Sequence, residues 1–231
     1  MPSAAFTWSG VRRGFVAAGA MAANSAVYGL IFGALAAQAG FDLVAAAAMS
    51  AIVYAGGAQV ASLQIWANPI PLLAVWATTF AVNARYILQS ASLRPWLGGG
   101  KPLRTYASLF TLSDAGWALA LKRWQTEPPD GGFLFGTGAA QYLPWVLGTV
   151  AGHIVGNRIG SPETYGLDFI FPAFFAAMAA GLWKKRSDIG PIVVGAGTAL
   201  LAERWIPCAW SLVVGGLAGS LVGVFANGRK P

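Results

Sequence analysis

Three polar side chains lie inside long apolar stretches of the sequence, where each of them needs a chemical reason. Asn83 and Arg85 fall in one such stretch, and Asp114 falls in another. An arginine guanidinium can hold a carboxylate through two parallel hydrogen bonds, which suits a zwitterionic amino acid or another small acid. Arg85 could instead extend its long side chain toward a polar boundary or form a structural ion pair with Asp114.

Two aspartates are candidates for moving a proton. Asp114 is either paired, with Arg85 as the candidate partner, or neutral, because burial favours the uncharged carboxyl group. Either state permits proton coupling. Asp168 lies near the start of an apolar segment, where an acid also stabilises the positive end of a helix dipole. We predict Asp114 and Asp168 as proton-coupling residues, with helix capping as the alternative for Asp168.

The other polar candidates are a histidine and several glutamines. His153, the only histidine, could relay protons, although a hydrogen-bonded packing role is favoured. Gln59, Gln64 and Gln141 either line a polar path or bridge helices, and both interpretations stay open. Gly56-Gly57 precedes Gln59, and it would allow the helix either to unwind toward a ligand or only to bend.

The predicted substrate-binding set is Arg85, Asn83 and Gln59. One histidine and one cysteine, Cys208, leave no cluster that could hold a metal, and we predict no cofactor.

The composition indicates that lipid surrounds most of the chain. Of the 231 residues, 56% are hydrophobic and 10% are charged, whereas soluble domains carry about 25% charged residues. A bilayer-spanning helix needs roughly 20 apolar residues, and several charge-free windows are at least that long. The net charge of +7 comes without a basic stripe interleaved with aromatics, so we predict a lipid bilayer as partner and no nucleic acid.

The spacing of turn residues divides the chain into eight apolar segments. We predict an all-α, polytopic membrane helical bundle forming one membrane domain over residues 1–231, with seven spans as the alternative. One short segment could be a half-span or hairpin, sheltered by protein or a watery cavity. The predicted segments are Gly14–Ala39, Leu43–Trp66, Ile70–Pro95, Leu103–Leu121, Phe133–Val155, Tyr165–Trp183, Ile189–Ala202 and Ile206–Ala226.

Basic residues predict the orientation, because cytoplasmic loops are enriched in Lys and Arg. Eight spans place nine basic residues on one side and five on the other, so both termini are predicted to be cytoplasmic. The cytoplasmic set is Arg12, Arg13, Lys122, Arg123, Lys184, Lys185, Arg186, Arg229 and Lys230. The opposite set is Arg94, Lys101, Arg104, Arg158 and Arg204.

A weak internal repeat relates the two parts of the sequence. A shift of 119 residues places Gly19 on Gly138, Gly29 on Gly148, and Gly33 on Gly152. We predict repeat halves at residues 14–121 and 133–226 that run parallel, although three matches in so glycine-rich a chain could arise by chance. Duplicated halves are common in secondary transporters, where the substrate site lies at their junction.

Five short motifs occur in order along the chain: Met49-Ser50 with Tyr54–Gln59, Asn83–Tyr86, Thr111–Asp114, Tyr142–Trp145 with Gly148-Thr149, and Gly166–Phe169 with Pro172–Phe174. Together they resemble the motifs of the AzlC-like branched-chain amino acid permeases. The resemblance implies export of branched-chain or related amino acids across a bacterial inner membrane, together with a small membrane subunit of the AzlD type. Two departures, Asn24-Ser25 in place of a proline and Ala115 in place of an acid, bear on substrate and coupling.

These observations combine into one hypothesis. The chain is predicted to be a permease subunit that moves a small amino acid outward by alternating access, with a non-transporting scaffold or a channel subunit as the alternative. An intramembrane enzyme is not expected, because Tyr165–Asp168 is not the Gly-x-Gly-Asp of membrane aspartyl proteases.

Overall fold

The computed structural model describes residues 5–97, 99–156, 158, 164, 166, 169, 176, 189–206 and 209–227. Regular structure within these ranges is helical, apart from an isolated bridge between Ala5 and Asp130, which confirms the all-α prediction. Of the predicted segment Tyr165–Trp183, the structure describes Gly166, Phe169 and Ala176 alone, and Asp168 lies outside the described residues. The described helices are α1 (Trp8–Ala17), α2 (Gly19–Gln38), α3 (Leu43–Val53), α4 (Gly56–Gln64), α5 (Leu72–Leu97), α6 (Pro102–Phe110), α7 (Asp114–Trp124), α8 (Gly131–Gly156), α9 (Ile189–Ala202) and α10 (Ala209–Asn227).

The chain divides into two compact units. The first comprises Met1–Gln59 and Asn83–Thr164, and the second comprises Val60–Val82 and Tyr165–Pro231. In the second unit, α9 and α10 form an antiparallel hairpin with Gly195 against Gly215 at its centre. Small residues at such a contact let two backbones approach closely.

The first unit is built around α8, a helix of 26 residues that is about 39 Å long. Helices α1 and α2 both run parallel to α8. Gly10 on α1 lies against Asp130, just before α8, and Gly33 on α2 lies against Thr149, near its far end. We refer to the two ends of this unit as the Gly131 end and the Gly156 end.

Reciprocal glycine contacts join α2 to α8. In each of four pairs, a Cβ on the glycine would overlap the carbonyl oxygen of its partner on the other helix. A shift of 119 residues converts these contacts into one another, so the two helices aligned by the predicted repeat pack with local two-fold symmetry. The repeat halves themselves stay a prediction. The pairs are Gly29 with Trp145, Gly148 with Ala26, Gly33 with Thr149, and Gly152 with Leu30.

The predicted second segment, Leu43–Trp66, is not one continuous span. It is divided into α3 and α4 near Tyr54, whose φ of 43° lies in the left-handed region. Gln59 on α4 donates a 3.2 Å hydrogen bond to Ser50 on α3, although a straight helix would place these residues about 13 Å apart. The chain therefore turns back at Tyr54. We call α3 and α4 the first hairpin.

The predicted fourth segment, Leu103–Leu121, is also divided, between α6 and α7. The Ser108 hydroxyl on α6 lies 3.4 Å from the carbonyl oxygen of Gly131, the first residue of α8. Ser113, at the break, contacts Gln141 further along α8. Arg123, near the end of α7, lies over the ring of Phe133, near the start of α8. We call α6 and α7 the second hairpin.

The two hairpins approach α8 from opposite ends. His153 Nε2 lies 2.8 Å from the carbonyl oxygen of Phe41, which places the first hairpin at the Gly156 end. Trp124, at the end of α7, packs on Trp96 with ring centres 5.4 Å apart, and both lie at the Gly131 end. The prediction that both segments are full spans is wrong, because neither the left-handed Tyr54 nor the extended Ser113 continues a helix.

The loop between α5 and α6, which the sequence predicts on the outer side, lies at the Gly131 end instead. Arg104 lies over the ring of Phe6 at 5.1 Å, and Arg13 lies 3.6 Å from Asp130, so both arginines are at the Gly131 end. The prediction that the loop after the third segment and the N-terminal arginines lie on opposite sides is therefore wrong. Seven basic residues belong to this end: Arg12, Arg13, Arg94, Lys101, Arg104, Lys122 and Arg123.

The outward faces of the helices are apolar. Val27 on α2 is 57% exposed, and Leu143 and Leu147 on α8 are 58% and 67% exposed. Apolar side chains exposed along whole helix faces are typical of surfaces that meet lipid. By length and composition, α2 is the described helix that could cross a bilayer, while α3, α9 and Val214–Phe225 are shorter apolar helices.

The α2–α8 contact yields a stability prediction. Gly33→Ala should lower the free energy of unfolding by about 1–3 kcal/mol, because the new Cβ overlaps the Thr149 carbonyl oxygen. Gly19→Ala is the matched control, since nothing lies within 4 Å of a Cβ at that position of the same helix. The measurement is thermal unfolding of both purified variants in detergent. Equal midpoints for the two variants would contradict the proposed close contact.

Candidate functional site

The two hairpin breaks meet at consecutive residues halfway along α8. Gln141 Nε2 donates a 2.9 Å hydrogen bond to the hydroxyl of Ser113, in the second break. The Tyr142 hydroxyl donates a 2.7 Å hydrogen bond to the carbonyl oxygen of Ala51, near the first break. The Tyr142 ring also packs between Tyr54 and Phe110, at centroid distances of 5.0 and 5.8 Å. One turn of α8 therefore joins both breaks.

Buried polar side chains hold the first break together. Gln59 is fully buried; its Oε1 accepts from the backbone N–H of Ala55 at 3.2 Å, and its Nε2 donates to Ser50. The Ser50 hydroxyl also lies 2.7 Å from that of Thr149 on α8. Because the amide of Gln59 is used at both ends, its observed role is to satisfy the interrupted backbone.

A glycine lets the first break lie against α8. A Cβ on Gly56 would come within 2.5 Å of the Trp145 indole, so a larger residue would push the start of α4 away from α8. From the sequence, Gly56-Gly57 is compatible with a bend or with an unwound segment. The structure shows a reversal of the chain immediately before Gly56.

The second break is capped by its own serine. The Ser113 side chain accepts from the backbone N–H of Gly116 at 3.0 Å, which starts α7 with Asp114 as its first residue. Gly138 on α8 faces Thr111 so closely that a Cβ would overlap it. Asp114 therefore lies at the N-terminus of a half-helix, where the dipole stabilises a negative charge, rather than midway along a continuous helix as predicted.

An ion pair lies beside the second break. Arg85 Nη2 on α5 is 3.3 Å from Asp114 Oδ2, and the two side chains are 27% and 35% exposed. Gln89, one turn after Arg85, donates a 2.7 Å hydrogen bond to Asp114 Oδ1. The Arg85 guanidinium also lies 5.0 Å from the ring centre of Tyr86. The carboxylate is thus held from one side, by α5, and retains a partly open face.

Several buried polar atoms around this pair have no hydrogen-bond partner among the described residues. They are Asn83 Oδ1, Arg85 Nε and Gln89 Oε1. A buried polar atom without a partner costs about 1–3 kcal/mol, and those of Arg85 and Gln89, four residues apart on one helix face, indicate a place where a polar ligand can bind.

The structure thus brings together some predicted residues and separates others. Arg85 and Asp114 meet at the second break, Asn83 lies two residues before Arg85 on α5, and Gln59 belongs to the first break. His153 has the packing role that the sequence favoured, through its contact with Phe41. Sequence reasoning missed Gln89, although its spacing of four from Arg85 places both on one helix face.

Comparison with known families gives the chain its relatives. The family model described as "AzlC protein" matches residues 20–159, which is more than half of the chain. The chain belongs to the AzlC family. The matched range contains both hairpin breaks, Arg85, Asp114 and the Gln141-Tyr142 junction, so the candidate site lies wholly within the AzlC match.

Individual relatives of this AzlC-family chain are membrane proteins by name. An "Uncharacterized membrane protein" of Helicobacter pylori is 27% identical over 69% of this chain and 70% of its own length. The "Branched-chain amino acid transport protein AzlC" of Bacillus subtilis is 23% identical over 82% and 74%. The "Inner membrane protein YgaZ" of Escherichia coli is 25% identical over 81% and 72%. No solved structure shows a significant match.

The two glutamines of α4 provide a test of the first break in this AzlC-family chain. Gln59→Met keeps the side-chain volume but removes the partners of Ala55 and Ser50, so the free energy of unfolding should fall by about 1–3 kcal/mol. Gln64→Met is the control, because Gln64 is exposed and surface substitutions change stability by about 0.5 kcal/mol or less. Chemical denaturation in detergent measures both. A Gln59 variant as stable as the Gln64 variant would contradict this role.

Proposed function

We propose that this chain is a permease subunit that exports a small amino acid across the bacterial inner membrane. Its family and its membrane-protein relatives support a membrane transport role. One relative, from Bacillus subtilis, is named as a branched-chain amino acid transport protein. The observation that carries the proposal is the junction at Gln141 and Tyr142, where two broken helices meet beside an ion pair. Transporters commonly build midplane sites from such discontinuous helices.

The proposed topology follows from the helix lengths and the hairpins. Helices α1–α2, α5 and α8 cross the bilayer, and the two hairpins dip into it from opposite faces. Non-helical backbone at membrane depth must be sheltered by protein. Both breaks meet this condition, because Ala55 is 2% and Leu112 is 4% exposed.

Charge supports a cytoplasmic N-terminus. Seven basic residues belong to the Gly131 end, and Arg158 follows the Gly156 end. Short cytoplasmic loops carry the excess of Lys and Arg, so the Gly131 end faces the cytoplasm in this proposal. The second hairpin therefore enters from the cytoplasmic face.

The substrate is held by side-chain atoms that have no hydrogen-bond partner among the described residues. Arg85 Nε is free to donate to the substrate carboxylate, since the ion pair uses Nη2. Asn83 Oδ1 and Gln89 Oε1 are acceptors for the substrate ammonium group. Tyr54 and Phe110 flank Tyr142, which gives an apolar side chain aromatic surfaces to contact. Gln59, predicted as a substrate contact, acts here through the shape of the first break.

Asp114 is the proposed proton-coupling group. Protonation of its carboxyl group weakens the attraction to Arg85 and frees the guanidinium for the substrate carboxylate. Deprotonation restores the ion pair and favours substrate release. Asp168 keeps its predicted place as a second coupling residue. A small AzlD-type membrane subunit is the proposed partner, and no cofactor enters the mechanism.

Removing the bidentate guanidinium tests the substrate site. Arg85→Lys keeps the charge but loses the planar pair of donors, so leucine or valine counterflow in proteoliposomes should fall about tenfold or more. Lys122→Gln, at an exposed position, is the control and should retain the wild-type rate. Counterflow that survives unchanged in Arg85→Lys would rule out this binding role. Non-saturable flux in the wild type would favour the channel alternative.

A neutral isostere tests coupling. Asp114→Asn should abolish the dependence of net export on an imposed pH gradient, because the side chain can no longer release a proton. Substrate exchange without a gradient should continue, since exchange needs no net proton movement. The measurement compares gradient-driven flux with exchange in the same vesicles. Wild-type dependence on the gradient in this variant would exclude Asp114 as the coupling group.

A further inference from the structure

Two adjoining cavities lie at the Gly131 end, away from the hairpin junction. Their volumes are about 210 Å³ and about 420 Å³, and both are lined by Leu97, Gly100 and Thr105. Lys101 and Arg104 line the smaller cavity, while Arg94 lines the larger one. The end of α5 and the start of α6 thus border a half-open space with three cations around it, all at exposed positions.

These three cations have no carboxylate partner among the described residues. By contrast, Arg13, Arg85 and Arg123 each pair with an acid at 2.7–3.6 Å. Like charges around one space repel each other, and an anion between them would remove that repulsion. The space is therefore suited to a negatively charged group rather than to a neutral one.

The start of α6 adds to this preference. No side chain caps α6, and no acid lies in its first turn. The positive end of its dipole favours an anion, although Pro102 has no N–H and the N–H groups of Arg104 and Thr105 bond to the Lys101 carbonyl oxygen. Lys101 precedes the helix and Arg104 lies within its first turn, so the helix terminus and the side chains act in the same direction.

The surface beside the larger cavity is apolar and exposed. Leu103 and Tyr106 on α6 are 82% and 71% exposed, and Tyr106 also lines that cavity. A ligand whose charged group enters the basic space would therefore have an apolar surface next to it. An anionic phospholipid has this combination of a phosphodiester headgroup and acyl chains.

We propose that Arg94, Lys101 and Arg104 form a binding site for the headgroup of an anionic phospholipid, with its acyl chains along Leu103 and Tyr106. The site is separate from Arg85 and Asp114, and it does not depend on which solute is transported. Basic pockets between membrane helices on the cytoplasmic side commonly bind such headgroups. The ligand class is thus a phosphodiester carried on a lipid.

Native mass spectrometry and nanodisc binding test the site. Wild-type protein is titrated with phosphatidylglycerol, cardiolipin or phosphatidylcholine, and separately with inorganic phosphate. We expect retained phosphatidylglycerol or cardiolipin and little phosphatidylcholine. The double variant Arg94→Gln with Arg104→Gln should lose about tenfold or more of the anionic-lipid affinity.

The matched control is Arg12→Gln with Lys122→Gln. It removes the same charge from exposed positions at the same end, outside both cavities, and should keep the lipid affinity within about twofold. Thermal unfolding in phosphatidylcholine nanodiscs checks that both double variants are folded. Equal loss in both variants, or equal retention of phosphatidylcholine, would overturn the proposal. Inorganic phosphate that displaces lipid at millimolar concentration would assign the site to free phosphate instead.

Discussion

Two interrupted helices lie inside an apolar bundle, and the hydrogen-bonding groups that they free must find partners within the protein. A buried N–H or C=O without a partner is costly where water is absent. Gln59 accepts from the backbone of Ala55, and Tyr142 donates to the backbone of Ala51. The remaining arrangement depends on such bonds, because the Tyr142 bond and the Gln141–Ser113 bond fix how far each hairpin extends along α8.

The same bonds explain why the charged pair lies where it does. The second hairpin stops at Ser113, which contacts Gln141 and caps α7. Asp114 follows directly, so the carboxylate lies at the start of a half-helix and opposite Arg85 on α5. A continuous helix through this segment would place no helix N-terminus at Asp114, and Ser113 would not be at a break where it can contact Gln141.

Much of the fold could be predicted from the sequence, but the two reversals could not. The charge-free windows located α2, α5, α8, α9 and α10 to within a few residues, because apolar length alone decides where such helices form. Hydropathy does not record direction, however, and a hairpin of two half-helices has the same apolar length as a span. Gly56-Gly57 signalled an irregularity without showing that the chain turns back there.

The site was predicted in part for the same reason. Arg85 and Asp114 were recognisable because charges are conspicuous in an apolar context. Gln89 and Tyr142 carry no charge, and their importance comes from three-dimensional contacts that a linear pattern does not show. The correct side of Arg104 likewise required knowing that the chain turns back at Tyr54, so that the predicted second segment is not a full crossing.

The glycine contacts between α2 and α8 also constrain how the bundle can move. Backbone carbonyls press against glycine Cα atoms at four places along both helices, and sliding would drive carbonyls into neighbouring side chains. These contacts lie within residues 26–33 of α2 and 145–152 of α8, so they resist sliding of the two helices over about two turns. Any opening of the junction toward either face must then come from displacement of the hairpin tips against a stationary α8.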